Sequence, residues 1–477
     1  MTEIKQQYHQ AKQWQLICFA LLQAGSNLFM LAMNFSSYIA TGVYGIAVVS
    51  VSLLLTSTRI WDAITDPIAG FLIDRINTPF GRFRPLIILG YAIMTITTLV
   101  MFFMGEGHGV VMFMSLYVIY IIGYTIVTCI CKAAIPIMTN DPKQRPIIGR
   151  WGAFCTCTLS TVISIYIGKV LYPKYGGLGP AALREMLVTA IILAGICVVA
   201  AVIALGEKDK PENIALLSKN AMPSLKDCWH TVKGNRPLQM LIVAAATDKL
   251  ASQTYGNSTV NIMLYGILIA NYSFSGGMSL YAYIPSLIFI FMITKYARRM
   301  GSRKALLSFS WAGIILSVAF LAFFVMVDPT KISQAAVPTA IFVVLMVARS
   351  AVIQANASMT NIMIADCADY EMYRSGKFMP GLVGTVFSFV DKLVSSLGAT
   401  VVGLAVAIIG FTEQLPQIGD AATPALFWVT MFLFIGMPLL GWICSVVALK
   451  FYDLTPEKMA EVQKFNAELR AKNAQEK

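Results

Sequence analysis

The sequence predicts an all-α integral membrane protein with about twelve transmembrane helices. Only 13% of its 477 residues are charged and 57% are hydrophobic, too little charge to cover a soluble chain of this length. The apolar residues come in runs of about 20 or more, long enough to cross hydrocarbon as a helix. Those runs do not alternate apolar with polar residues, as the strands of a membrane barrel would. Helices, which satisfy their own backbone groups, are therefore the expected form.

The formal net charge is +12. Basic residues held on the cytoplasmic side of a membrane account for it better than nucleic acid does. The nine cysteines lie mostly inside apolar runs, as with Cys18, Cys197 and Cys444. Cys129/Cys131 and Cys155/Cys157 are two residues apart, so each pair faces roughly opposite sides of a helix. Neither disulfides nor a thiolate metal site is indicated. The three histidines, His9, His108 and His230, all fall outside the spans, which argues against haem or His-ligated metal. No nucleophile–base cluster appears either. The chain is expected to be no enzyme, to carry no cofactor and to act as a monomer in the lipid bilayer. Met1–Gln13 is polar and leads straight into an apolar span, so a retained N-terminus is expected rather than a cleaved signal.

The predicted spans are 14–37, 43–73, 85–104, 110–138, 150–172, 185–205, 238–268, 277–294, 305–327, 335–365, 381–411 and 424–451. Several exceed 25 residues, which implies tilt or extension beyond the bilayer. The polar stretch 206–237 divides the chain into a half at 1–205 and a half at 238–451, each of six spans. A polar tail, 452–477, is expected to be helical or mobile. With the N-terminus inside, most of the 36 Lys and Arg lie in cytoplasmic segments. The outer side has only Lys169, Lys174, Arg184 and Lys331. This asymmetry places both termini in the cytoplasm of an inner (plasma) membrane protein.

The halves echo one another. Between spans 2 and 3 the chain reads Gly70-Phe-Leu-Ile-Asp74-Arg75, then Gly81-Arg82-Phe83-Arg84. Between spans 8 and 9 it reads Lys295-Tyr-Ala-Arg298-Arg299-Met-Gly301-Ser-Arg303-Lys304. A short basic loop at the same place in each half is the mark of the major facilitator architecture, whose halves rock around a central site. Asp74, Arg75 and Arg82 are expected to take part in gating that motion. The second copy lacks the aspartate and reads more simply as a positive-inside loop.

Ionisable side chains inside spans are costly, so they are functional candidates. Span 2 is densest: Arg59-Ile-Trp61-Asp62-Ala-Ile-Thr65-Asp66-Pro67. Asp62 and Asp66, four residues apart, project from one helix face, with Arg59 one turn earlier. Such a pair can hold a hard cation such as Na⁺, share a proton, or form a structural ion cluster closed by Arg59. Thr125, Thr128 and Lys132 make a polar stripe in span 4. Ser388, Lys392 and Ser395/Ser396 make another in span 11, with Asp391 turned about 100° away. Asp248-Lys249 in span 7 and Arg349 in span 10 read either as satisfied ion pairs or as substrate contacts.

These residues bring a family into view. Trp61-Asp62-Ala-Ile-Thr-Asp66-Pro67-Ile-Ala-Gly70, followed by Gly81-Arg82-Phe83-Arg84-Pro85, resembles the glycoside–pentoside–hexuronide:cation symporters, relatives of the melibiose carriers. Asp366-Cys-Ala-Asp369-Tyr370-Glu371-Met-Tyr373-Arg374-Ser-Gly376 agrees, as do Phe387-Ser-Phe-Val-Asp-Lys392-Leu-Val-Ser-Ser and Tyr124-Thr125-Ile…Pro136. The resemblance spans both halves. It implies that Asp62, Asp66, Thr65 and Thr125 form the cation site and that Lys392 links cation to substrate. Asp369, Tyr373 and Arg374 would belong to the inner gate.

Family sugar carriers commonly have an aspartate in span 1; here the stretch reads Leu22-Gln23-Ala24-Gly25-Ser26-Asn27. A second aspartate of the melibiose branch is Thr128, and an aromatic one turn on is Lys132. Acceptors for sugar hydroxyls are thus replaced by weaker groups and a cation is added, which points to an anionic solute such as a hexuronide. Gln23, Asn27, Arg59, Thr128, Lys132, Arg150 and Lys392 are the expected substrate contacts. The function expected is secondary transport of a small solute with Na⁺ or H⁺. A lipid-handling or export protein on the same fold is the alternative, and an uncoupled channel or transceptor a third reading.

Overall fold

The computed structural model describes residues 11–58, 61–62, 78, 80–139, 145–209, 232–278, 281, 285, 301–375 and 380–475. Among them the chain is helical almost throughout, and nine helices are long and apolar enough to cross a membrane. They form two compact units. One comprises 1–220 with the short pieces 272–279 and 410–418, and the other the remainder.

In the first unit, α1 (Gln13–Met33) breaks at Asn34 and resumes as α2 (Ser36–Gly42). There follow α3 (Val48–Thr58), α4 (Phe83–Phe103), α5 (Gly109–Ala133), α6 (Arg145–Tyr166) and α7 (Pro180–Leu205). α1 packs on α6 and α7, and α4 on α5 and α7. α4 and α5 cross backbone to backbone at Gly90 and Gly123. A Cβ on either would lie 3.0 Å or less from the other's carbonyl oxygen. Small residues at such crossings are how helices pack where no water drives them together.

α7 shows why this is a membrane protein. Its inward face is Ala190, Ala194, Cys197 and Ala201, and its outward face is Ile192, Ile196, Val199 and Ile203. Ala194 is fully buried while Ile196 is 61% exposed. A soluble amphipathic helix would show the reverse; large apolar side chains turned outward belong against lipid. The chain is a multi-pass membrane protein.

The second unit holds α8 (Arg236–Tyr255), α9 (Ser302–Met326), α10 (Ala336–Ser375), α11 (Pro380–Ile408), α12 (Pro424–Met431), α13 (Met437–Lys450) and α14 (Pro456–Gln475). α8 packs on α11 and α13, and α9 on α10 and α13. Leu238, Leu241, Leu306, Met359, Met363 and Tyr452 form the core of that packing. α10 continues ten residues past its predicted end at 365, carrying Asp369, Tyr373 and Arg374 on a continuous helix. The expected tail helix is α14. Among the described residues three π-helical turns occur, at Ile167–Leu171, Ile262–Leu268 and Phe432–Gly436. The predicted span 277–294 lies almost entirely outside the described residues.

Candidate functional site

α5 carries the polar stripe read from the sequence, and its members serve different ends. The Thr125 hydroxyl, 1% exposed, donates to Asp62 Oδ1 at 2.8 Å, and Asp62 is itself 4% exposed. A carboxylate this deep needs such donors, because water cannot reach it. Thr128 instead turns its hydroxyl back to the carbonyls of Tyr124 (2.9 Å) and Thr125 (3.2 Å). On α1 the Asn27 amide donates to the Gln23 carbonyl at 2.8 Å. Tyr124 reaches across to α1, its hydroxyl 3.6 Å from Met30 Sδ, and stacks on Tyr120 with centroids 6.1 Å apart. Asp62, Thr125, Tyr124 and the α1 polar residues thus occupy one unit. Arg150 is exposed on the first turns of α6. Arg59, Thr65, Asp66, Asp74 and Arg75, and the side chain of Lys132, lie outside the described residues.

The described residues expected to gate fall into two local structures. Arg82 precedes α4, and its backbone N–H donates to Asp209 Oδ1 at 2.9 Å. Asp209 Oδ2 accepts from the N–H of Phe83 (2.9 Å) and of Arg84 (3.0 Å). A helix start leaves such N–H groups without intrahelical partners, and here an acid just past α7 supplies the cap. Gly81, at φ +104°, is forced by this docking: a Cβ would strike the Asp209 carboxylate. In the second unit Arg374 grips Glu371 with two bonds, 2.7 and 3.2 Å, and Glu371 also accepts from Asn235 at 3.1 Å. Tyr373 donates to Glu461 at 2.9 Å and packs on Phe465, fastening α14 to α10. Asp369 is described, next to Tyr370 on the same stretch of α10.

Lys392 is half-buried on α11, where Ser395 donates to its carbonyl at 3.1 Å. Neither Asp248 nor Arg349 forms an ion pair among the described residues. Lys249 is exposed, and Asp248 takes hydrogen bonds from Ser445 (3.0 Å) and Asn356 (3.5 Å) instead. Arg349 is 4% exposed and stacks against Tyr255 and Phe434, both 4.3 Å from its guanidinium carbon, with Phe320 at 5.7 Å. Rings can hold a desolvated guanidinium through their negative faces. Asp209, Asn356 and Ser445 were not singled out by sequence, and Glu371 entered only as a member of the family motif without a role. Asp209 had a visible signal, an acid between two lysines at a span end.

The comparisons agree with this architecture. The family model for the MFS/sugar transport protein matches residues 18–456. The chain is 25% identical to an isoprimeverose transporter of Lactiplantibacillus pentosus over 94% of this chain and 91% of that one. It is 23% identical to a glucuronide carrier protein homolog of Escherichia coli (strain K12) over 95% of each. Among solved structures, the nucleoside transporter NupG superposes with a TM-score of 0.62 at 16% identity, covering 93% of this chain and 99% of that one, a likeness of fold.

Proposed function

The chain belongs to the MFS/sugar transport protein family, and on that premise we propose that it is a secondary transporter moving a glycoside, hexuronide or related solute together with Na⁺ or H⁺. The observation that carries the coupling is the buried Asp62–Thr125 pair. A carboxylate with a hydroxyl beside it, deep in an apolar unit, is a site for a small hard cation or a proton. Thr65 and Asp66, on the same stretch of sequence, would complete that site. The positive charge held there would make the site ready for solute, so that only the empty or doubly loaded carrier reorients.

The solute class is argued from the cations expected among the substrate contacts. Arg59, Lys132, Arg150 and Lys392 are more positive charge than a neutral sugar requires, and a hexuronide or another organic acid would answer it. Among the relatives, the glucuronide carrier homologue is named for such an anionic sugar. A lipid-handling exporter is not favoured, since the relatives reported are named for glycosides. Both termini would face the cytoplasm of the inner membrane, as the basic residues argue.

Uptake into proteoliposomes tests the coupling. Asp62→Asn is expected to abolish accumulation driven by a cation gradient while leaving part of the downhill exchange. Undiminished accumulation would remove the pair from the coupling mechanism. Binding tests the solute: Lys132→Gln should weaken an acidic sugar about tenfold, the loss of one charge-assisted hydrogen bond, and leave its neutral amide unaffected. Equal losses for both would make Lys132 structural.

A further inference from the structure

The second unit contains a cavity of about 270 Å³ between α8, α10, α11 and α13. Asp248, Asn356, Asp391, Ser252, Thr360 and Trp442 line part of it. Ser445 Oγ lies 3.0 Å from Asp248 Oδ1 and 3.2 Å from the Ala244 carbonyl. A hydroxyl has one proton, so it serves one of these acceptors at a time. The other support of the carboxylate, the Asn356 amide, stands at 3.5 Å, the long limit of a hydrogen bond. Asn356 is 4% exposed, and its Oδ1 has no hydrogen-bond donor among the described residues. No Lys, Arg or His nitrogen among them comes within 4.0 Å of Asp248.

A carboxylate with so little support and an amide oxygen without a donor are both deficient in positive charge, and they are neighbours. We propose that Asp248 and Asn356, backed by Ser445, form a second cation site, one that takes a single positive charge as a proton or as Na⁺. As a proton, it sits on Asp248 and is donated to Asn356 Oδ1 once the amide has turned over. As Na⁺, it draws on the carboxylate and the same amide oxygen, the hard ligands that alkali cations choose. The other charged or titratable groups on the cavity wall are Lys249 and Tyr255 of α8 and Asp391 of α11. Asp391 stands within electrostatic range of Lys249 and Lys392. Neither α10 nor α13 adds a charge to the wall; the nearest cation of α10, Arg349, stacks on Tyr255. Among the described residues neither lysine comes within 4.0 Å of Asp248, whose carboxylate is left for the cation.

The site is separate from the Asp62 pair, so its test uses the full-length Asp62→Asn protein, in which that pair is already disabled. Titration with NaCl against choline chloride is read by tryptophan fluorescence, Trp442 being on the cavity wall, with Trp442→Phe as the control. Titration with pH is read by the infrared carbonyl band of a protonated carboxylic acid. A Na⁺ response lost on adding Asp248→Asn identifies a Na⁺ site; an acid band that disappears with alkali and is missing in Asp248→Asn identifies a proton site. Asn356→Leu should weaken either response about tenfold, the effect of losing one ligand to a charged group. If Asp248→Asn does not fold, Asn356→Leu and Ser445→Ala carry the same comparison. A protein in which neither titration differs between the parent and these variants has no site here.

Discussion

Each unit ties the start of its third predicted span to the end of its sixth, and the chemistry of the two ties is opposite. In the first, Asp209 beyond α7 accepts three backbone N–H groups from the start of α4. In the second, Arg303 at the start of α9 donates to the last carbonyls of α13, Leu449 at 3.1 Å and Lys450 at 3.4 Å. One tie satisfies helix donors with an anion and the other satisfies helix acceptors with a cation; both suit the helix dipole at the end concerned. The lesson is that an internal repeat conserves a place for a contact without conserving its residues. The acid itself recurs, Asp453 standing four residues past Leu449 as Asp209 stands four past Leu205, but its carboxylate lies 3.9 Å from Arg236 and the contact is made in another form.

The two ties should differ in strength. Asp209→Ala is expected to cost the most, about 2–3 kcal/mol, because it removes a buried carboxylate and strands three helix N–H groups. Thermal unfolding in detergent should show this as the largest drop in melting temperature among these variants. Unchanged melting would mean that the cap is incidental. Gly81→Ala comes next, at about 1–2 kcal/mol, since a side chain there meets an unfavourable φ and the docked carboxylate together. Arg303→Ala should cost about 1 kcal/mol, as its bonds are longer and the side chain is half-exposed. Arg303→Lys should restore part of that loss, a point charge near carbonyls being enough for the dipole term. A loss from Arg303→Ala larger than that from Asp209→Ala would reverse the ranking and the reason given for it.

How far the molecule could be read from its residues divides along the same line. Apolar runs are local, so most spans were legible; the Asp62–Thr125 association was reached only through the family resemblance. What sequence could not supply were partners from distant helices. Asn356 and Ser445 read as ordinary polar residues in apolar helices until α10 and α13 are packed against α8. Arg349 was visible as a buried charge, but its ring cage draws on Tyr255, Phe320 and Phe434, each from a different part of the chain. The extension of α10 to Ser375 was missed because hydropathy falls at Asp366 while the backbone stays helical. The break at Asn34 carries a polar signal, Asn34 with Ser36 and Ser37, but it falls inside the predicted span 14–37, where those residues read as the polar end of one helix.

The π-helical turn at Phe432–Gly436 bears on what changes in length the last span can absorb. A π turn is an α-helix holding one surplus residue. Deleting a single residue there would return the segment to ordinary winding and leave Trp442 and Ser445 pointing as they do now. The same deletion between 437 and 444 would rotate everything beyond it by about 100° and turn Ser445 away from Asp248. A scan of single-codon deletions along 424–450 should therefore find one tolerant window in an otherwise intolerant helix, and that window should coincide with the turn.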